Sequence, residues 1–423
     1  MFIAADTTAT TVLVAPINKE DRVLELERQL AEQAKRIGRL ESMLLQKTMS
    51  AVTLNEPAPK ATSSSAMPSA KNMVSTLAEA KPRFVEGLTA GGDIRLRQEF
   101  NFSDTDAVDR SRNALRARLR ATYSPIPSLT IGAQLSTGDP GDPNSTDVTL
   151  GNFVDDFNVS LDQVWLRYQM GGLTLHGGKF ALIFQRTDMV WDGDFVPQGV
   201  GVTYTSKFIG GTSLEARAAY VIIEESLGGR GSAMLGGQLS ASVPLAAAWR
   251  FGLSGGYYDY RLNSIATADA GDFRSNLLSS GSYLSDFRLV DGIATLAYTG
   301  LGDRWPIILS GEYVRNLGAA VSADSGVYVE LAAGRATRSG DWRVSYAYSE
   351  VGVDAVFAAF SHDNLAISTN YQLHSLGVTF ALAKYLMLDT TFVHYRPLDA
   401  DYAGTNAPTD WLDRIRLNLT VNF

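Results

Sequence analysis

The chain has 423 residues, enough for two or three ordinary domains or for one large one. Its 37 basic and 45 acidic residues leave a net charge of −8, which excludes the basic footprint that nucleic-acid binding needs. The absence of cysteine removes disulfides, thiolate metal ligands and cysteine nucleophiles, and fits export into an oxidising space.

Mean hydropathy is −0.03, and no window reaches the ~18 continuous apolar residues of a membrane helix. A β-barrel escapes that test, because lipid-facing and water-facing residues alternate and average out. Residues 1–16 (MFIAADTTATTVLVAP) carry no Lys or Arg before their apolar stretch. The charged start of an export signal is therefore expected upstream of Met1 or removed by processing. Residues 1–20 are expected to be disordered or a remnant of the export region.

Residues 21–46 have a helical rhythm. Val23, Leu26, Leu30, Gln33, Ile37, Leu40 and Leu44 are spaced 3, 4, 3, 4, 3, 4, which is the a/d seam of a coiled coil. Arg36 and Glu41 fall at g and the following e′ of a parallel partner, and Gln33 is a polar d position that can fix register. Self-association is expected, with a trimer favoured, although the a/d chemistry itself does not choose between two and three strands. Residues 47–90 read as linker, since EPAPKATSSSAMPSAK is rich in Pro, Ala and Ser and has no period.

From residue 91 to residue 423 the period is two. Ile94, Leu96 and Phe100 alternate with Asp93, Arg95, Arg97 and Glu99, and Leu115, Ala117, Leu119 and Ala121 with Arg116, Arg118 and Arg120. The last segment runs Ile415, Leu417, Leu419, Val421 and Phe423 against Arg414, Arg416, Asn418, Thr420 and Asn422. Strands of ~10–12 residues suit a tilted membrane crossing better than a globular sheet. About sixteen are expected, an even number. Short turns are expected at 124–128, Gly171-Gly172, 208–210, Pro244-Leu245, 300–304, 338–340 and Ala383-Lys384. Long polar connections are expected at 137–157, 181–197, 262–287, 351–369 and 396–410. A soluble sandwich has no reason to sort its loops this way. Trp249, Trp305, Trp342, Tyr385 and Trp411 are expected to begin strands on the short-turn side as one interfacial girdle. The fold expectation is an all-β membrane protein: an antiparallel transmembrane barrel behind a short coiled coil and a flexible linker.

Several segments carry a family resemblance: GDIRLRQEFN (92–101), RSRNALRARLRATY (110–123), LSTGDPGDPNSTDVTLGNF (135–153), LDQVWLRYQ (161–169), GGKF (177–180) and DMVWDGDFVPQGVGV (188–202). The chain resembles the putative porins of Gram-negative bacteria that carry an N-terminal coiled coil, densest over residues 92–225. The resemblance implies a barrel in the outer membrane that passes small hydrophilic solutes passively, with the coiled coil in the periplasm. Phe423 after an alternating strand is similar to the signal that the barrel assembly machinery reads. Where relatives usually have a proline before the phenylalanine after GGK, this chain has Leu182-Ile183-Phe184, which changes the expected detail of the 181–197 loop.

If the apolar half faces lipid, then Arg95, Arg97, Arg116, Arg118, Arg120, Arg167, Arg414 and Arg416 line the water-filled side. Closure of a barrel places the last strand beside the first, so most of these share one wall. Asp139, Asp142, Asp147, Asp155 and Asp156 in one connection, and Asp188, Asp192 and Asp194 in another, are expected to fold into the opening and face the arginines, giving a transverse field. The competing reading is that the arginines pair with Asp93, Glu99 and Glu215. His374 and His394 are expected as cross-strand neighbours on the lipid-facing side; neither they nor the other two histidines sit in a catalytic motif. Asp188, Asp192 and Asp194 lack the spacing of a Ca²⁺ loop, and GGK lacks the spacing of a phosphate loop. No cofactor, metal or catalytic residue is therefore expected. A surface adhesin working through the coiled coil and a barrel hydrolase are the alternatives to a porin. An adhesin stalk belongs outside the cell, whereas an N-terminus feeding an upward first strand starts inside.

Overall fold

The computed structural model describes residues 86–103, 109–142, 145–151, 156–225, 230–263, 275–362, 365–403 and 411–423. The expected coiled coil, with Val23, Leu26, Leu30, Gln33, Ile37, Leu40 and Leu44, lies outside the described residues, as does most of the linker. The first strand, β1 (Leu88–Ser103), begins three residues before the expected boundary. There follow β2 (Arg110–Ile126), β3 (Leu129–Thr137), β4 (Val159–Met170), β5 (Leu173–Lys179), β6 (Gln198–Lys207), β7 (Ser213–Glu224) and β8 (Ser232–Ala246). The second half comprises β9 (Trp249–Arg261), β10 (Arg288–Tyr298), β11 (Ile307–Asn316), β12 (Ser325–Gly334), β13 (Trp342–Val351), β14 (Tyr371–Ala383), β15 (Leu386–Pro397) and β16 (Leu412–Asn422).

Among the described residues these sixteen strands form one antiparallel ring. Each pairs with its sequence neighbours, and β1 pairs with both β2 and β16. Closure runs from Asp93 opposite Asn422 to Ser103 opposite Leu412. Phe423 completes it: Gly92 N donates to Phe423 O at 2.8 Å and Phe423 N donates back to Gly92 O at 3.0 Å.

Parity then sorts the side chains. Leu96, Leu119, Leu166 and Leu253 stand out from the ring, each about half exposed, whereas Asp93, Glu99, Arg116 and Arg416 are buried inside it. Full burial of an aliphatic side chain is worth about 1.5–3 kcal/mol. An outer belt of this kind therefore belongs in a hydrocarbon medium, and the apolar-out, polar-in order is that of a membrane barrel rather than of a sandwich.

The turns sort by end as the sequence predicts, with differences in detail. The turn placed at Pro244-Leu245 falls at Ala247-Ala248, because β8 runs on through a bulge opposite Trp249 and Arg250. Trp249, Trp305, Trp342 and Tyr385 lie at the short-turn end, and Trp249 and Trp342 rest on Tyr298 and Phe380. Trp411 belongs to the opposite girdle. It precedes an even-numbered strand, which starts at the long-loop end, and it stacks on His394 at 4.0 Å between ring centres. The 352–370 connection is not polar. Its VDAVFAAF run at 353–360 is buried inside the ring.

Two paired glycines steer the chain from wall to lumen. Gly178 on β5 stands opposite Gly199 on β6, with φ of +105° and +144°, at the two ends of the 180–197 connection. A Cβ at Gly199 would sit against the Tyr220 carbonyl oxygen. Replacing Gly199 by valine should cost about 1–3 kcal/mol. The measurement is the temperature at which the compact barrel opens on electrophoresis; an unchanged temperature would show that the turn does not need this backbone geometry.

Candidate functional site

Alternation brings arginines from three neighbouring strands onto one inner wall. On β2 they are Arg112, Arg116, Arg118 and Arg120; on β1, Arg95 and Arg97; on β16, Arg414 and Arg416. Carboxylates are threaded among them. Asp93 receives Arg116 (3.0 Å), Arg118 (2.9 Å) and Arg120 (2.5 Å). Glu99 receives Arg416 (2.6 Å) and Arg112 (3.1 Å), with Arg414 at 4.0 Å. The pairing with Asp93 and Glu99 is thus present, while Glu215 pairs instead with Arg217 at 2.6 Å. Arg112 was missed from the sequence, although it obeys the same parity as Arg116.

Two loop carboxylates join this wall. Asp194, from the 180–197 connection, contacts Arg118 at 3.1 Å and Arg116 at 3.4 Å. Asp147 takes Arg97 at 2.6 Å and Arg95 at 2.7 Å. Its segment continues the wall rather than crossing the lumen, because Val148 and Thr149 pair with Leu115 and Ala114 where β3 has ended. Between wall and loop lies a polar cavity of about 260 Å³ lined by Arg95, Arg97, Arg116 and Arg186 and by Asp147, Asp188, Asp192 and Asp194. These acids meet the wall in direct contact or flank the cavity. Asp188 pairs with Arg186 at 2.5 Å, and the buried Asp192 accepts from Asp194 N at 2.7 Å.

The other expected residues lie elsewhere. Arg167 is exposed at the short-turn end of β4, 5.8 Å from the Trp165 ring. Asp139 caps a turn by accepting from Gly141 N, Asp142 closes the same turn, and Asp156 is exposed. Asp155 lies outside the described residues. His374 and His394 are register partners on the outer face; His374 contacts the Tyr346 hydroxyl, and His394 lies 2.7 Å from Asp413. Among the described residues no group of three or more His, Asp or Glu side chains is placed to hold a metal ion.

The sequence reading missed what fills the rest of the lumen. Trp191 and Phe195 of the 180–197 connection pack on Phe360 of the 352–370 connection, with Phe195 and Phe360 4.2 Å apart. Tyr258 and Tyr260 of β9, together with Phe287 and Phe357, complete a buried aromatic mass. Asp192 N donates to Phe360 O at 2.8 Å, which joins the two loops. Gln238 grips the first loop through Gln185 N (2.7 Å) and Gln185 O (2.8 Å). Thr187 hydrogen-bonds Glu312, which lies with Asp291 buried behind that loop. Asn276 donates to the carbonyls of Val353 and Val356 and fixes the second loop. Leu182-Ile183-Phe184 serves this mass too: Phe184 meets Trp191 and Tyr258, and Leu182 and Ile183 pack against it. The apolar composition of 353–360 was the available signal, since a solvated loop has no use for it.

A closed ring with apolar residues outside, arginines inside and an inward loop narrowing one side is the geometry of a membrane channel. Residues 98–269 match the family model described as Putative porin. The high-pH structure of OprB from Pseudomonas putida shares the fold at a TM-score of 0.53 with 13% identity, covering 83% of this chain and 97% of that one. OmpT with its loop L8 deleted, an outer membrane protein of Vibrio cholerae, gives 0.48 at 12% identity over 79% of this chain and 99% of its own. OmpF of Salmonella typhi, in complex with daunomycin, gives 0.47 at 12% over 79% and 97%. No curated protein sequence matches the chain.

Trp191 is fully buried, so Trp191→Ala should cost about 3–5 kcal/mol of loop docking. Single-channel conductance should rise as the loop loosens, and an unchanged value would show that the aromatic mass does not narrow the path.

Acid should loosen the 352–370 loop. Burial pushes the His362 imidazole down to about 4, with Asp188 opposing and Arg416 and Arg414 adding to the shift. The docked loop favours the neutral ring, so stability present above about pH 6.5 is lost as the pH falls towards 4. Protease cleavage of the loop should increase over that window and become flat in His362→Gln. Equal pH sensitivity in the variant would assign the effect elsewhere.

Proposed function

We propose that this chain is an outer-membrane channel through which small hydrophilic solutes and ions diffuse passively, without catalysis. The observation that carries the reading is the charged cavity between the arginine wall and the 180–197 loop. Aromatic packing fills part of the lumen, and the arginine wall lines a polar cavity beside it. Arg95, Arg97 and Arg116 stand on the wall with Asp147 among them, and Asp188, Asp192 and Asp194 on the loop with Arg186; the excess of cations on the one side and of anions on the other sets a field across the path rather than along it. Arg118, Arg120, Arg414 and Arg416 extend the wall above and below. Dipolar and charged solutes align in such a field, while apolar ones must displace oriented water.

The remaining parts fit the same reading. The seam from Val23 to Leu44 would join copies in the periplasm, as a homo-oligomer with a trimer favoured, while the outer belt contacts outer-membrane lipid. Phe423, hydrogen-bonded into β1, suits a terminal signal for the barrel assembly machinery. Shortening the loop by deleting residues 186–194 should raise single-channel conductance at least about twofold, because the constriction limits ion flow. A full-length chain that inserts into planar bilayers yet conducts nothing would end this reading.

A further inference from the structure

We infer that the arginines form a continuous track for oxyanions, so that the channel prefers anions although the chain as a whole carries a charge of −8. This rests on the channel reading and adds its selectivity and solute class. Register places the guanidinium groups at successive inward levels. Arg414 is level with Asn101, Arg416 and Arg112 with Glu99, Arg97 with Asn418, Arg95 with Arg116, Arg118 with Asp93, and Arg120 with Gly91. Each inward level of this wall from Asn101 to Gly91 therefore holds at least one guanidinium. Arg112 to Arg120 alone spans ~27 Å at ~3.4 Å per residue, comparable to the ~25 Å apolar band of such barrels.

The charge count sets the sign. Eight arginines share four carboxylates: Asp93, Glu99, Asp147 and Asp194. Among the described residues every one of these carboxylates serves two or three guanidinium groups, so guanidinium groups outnumber the carboxylates they pair with along this wall.

The resident carboxylates show how a mobile one would be held. Asp147 bridges Arg95 and Arg97 with its two oxygens, and Asp194 bridges Arg116 and Arg118 in the same way. Both come from loops and occupy neighbouring steps of the track beside the polar cavity. An oxyanion of similar size can take the same two-point contact at the next step, and the shared partners keep each site shallow enough to leave.

Reversal potentials of the full chain in planar bilayers under a KCl gradient test this. The expected sign is that of chloride preference. Arg112→Gln combined with Arg120→Gln, at the two ends of the β2 track, should lower the chloride-to-potassium permeability ratio at least about threefold. Arg396→Gln, on the outer face, should leave the ratio unchanged. On the unaltered protein, millimolar succinate and inorganic phosphate should each reduce chloride current more than glucose does. The stronger of the two identifies an organic carboxylate or a phosphate path. Potassium preference, an unaltered ratio in the double variant, or equal effects of glucose and the oxyanions would overturn the track while leaving a channel. A silent membrane would remove the channel itself.

Discussion

The pairing of β1 with β16 is the constraint on which the rest of this structure depends. In hydrocarbon an unpaired backbone N–H or C=O costs several kcal/mol, so an open sheet edge cannot be left there. Eleven register pairs from Asp93–Asn422 to Ser103–Leu412 remove both edges at once. Closure also fixes chemistry. It sets Glu99 of β1 between Arg112 of β2 and Arg416 of β16, residues more than three hundred positions apart in the chain. Without the seam, each cluster of like charge would face water alone.

The lumen is divided rather than uniformly filled. On the side of β7 to β15, loops from three connections bury aromatic rings against Tyr258, Tyr260 and Leu289. On the side of β16, β1 and β2 the wall is guanidinium and carboxylate. The 180–197 loop is the boundary between the two. Trp191 and Phe195 face the rings, whereas Asp194 faces Arg116 and Arg118. One short segment therefore both narrows the lumen and sets the polarity of what remains open.

Much of this was legible in the sequence, for identifiable reasons. Strand parity is a local property, so the outward Leu96 and Leu119 and the inward Arg95 and Arg116 can be read from alternation alone. Turn length is local too, and Gly171-Gly172 falls where the sequence places it. Trp411 was assigned to the wrong end because strand direction is cumulative, and its place depends on counting every crossing before it. Inward loops are the least legible element. Whether 353–360 lies in water or on Trp191 is decided by contacts with residues some 170 positions away. Its apolar composition hints at burial but does not say against what. The same holds for Asp147. The two-residue pairing of Val148 and Thr149 with β2 turns it towards Arg95 and Arg97, and no periodicity signals so short a strand. The seam at residues 21–46 lies outside the described residues and stands on its heptad spacing alone.

The ratio of carboxylates to guanidinium groups reconciles stability with transport. An inner wall of eight arginines without counter-charge would repel itself in a low-dielectric cylinder, and the strands would resist closing. Full one-to-one compensation would remove the repulsion but also the net positive charge, so that an approaching anion gained less. Sharing each carboxylate among two or three arginines falls between these limits. Asp93 is the clearest case, since it is almost wholly buried and binds Arg116, Arg118 and Arg120 together. Removing that one carboxylate would leave three like charges on adjacent steps of β2, with Asp194 from a loop to offset two of them among the described residues. The wall is thus held by a minority of acids at the positions where closure crowds the arginines most. Their scarcity elsewhere along the same strands is what leaves the surface open to a mobile anion.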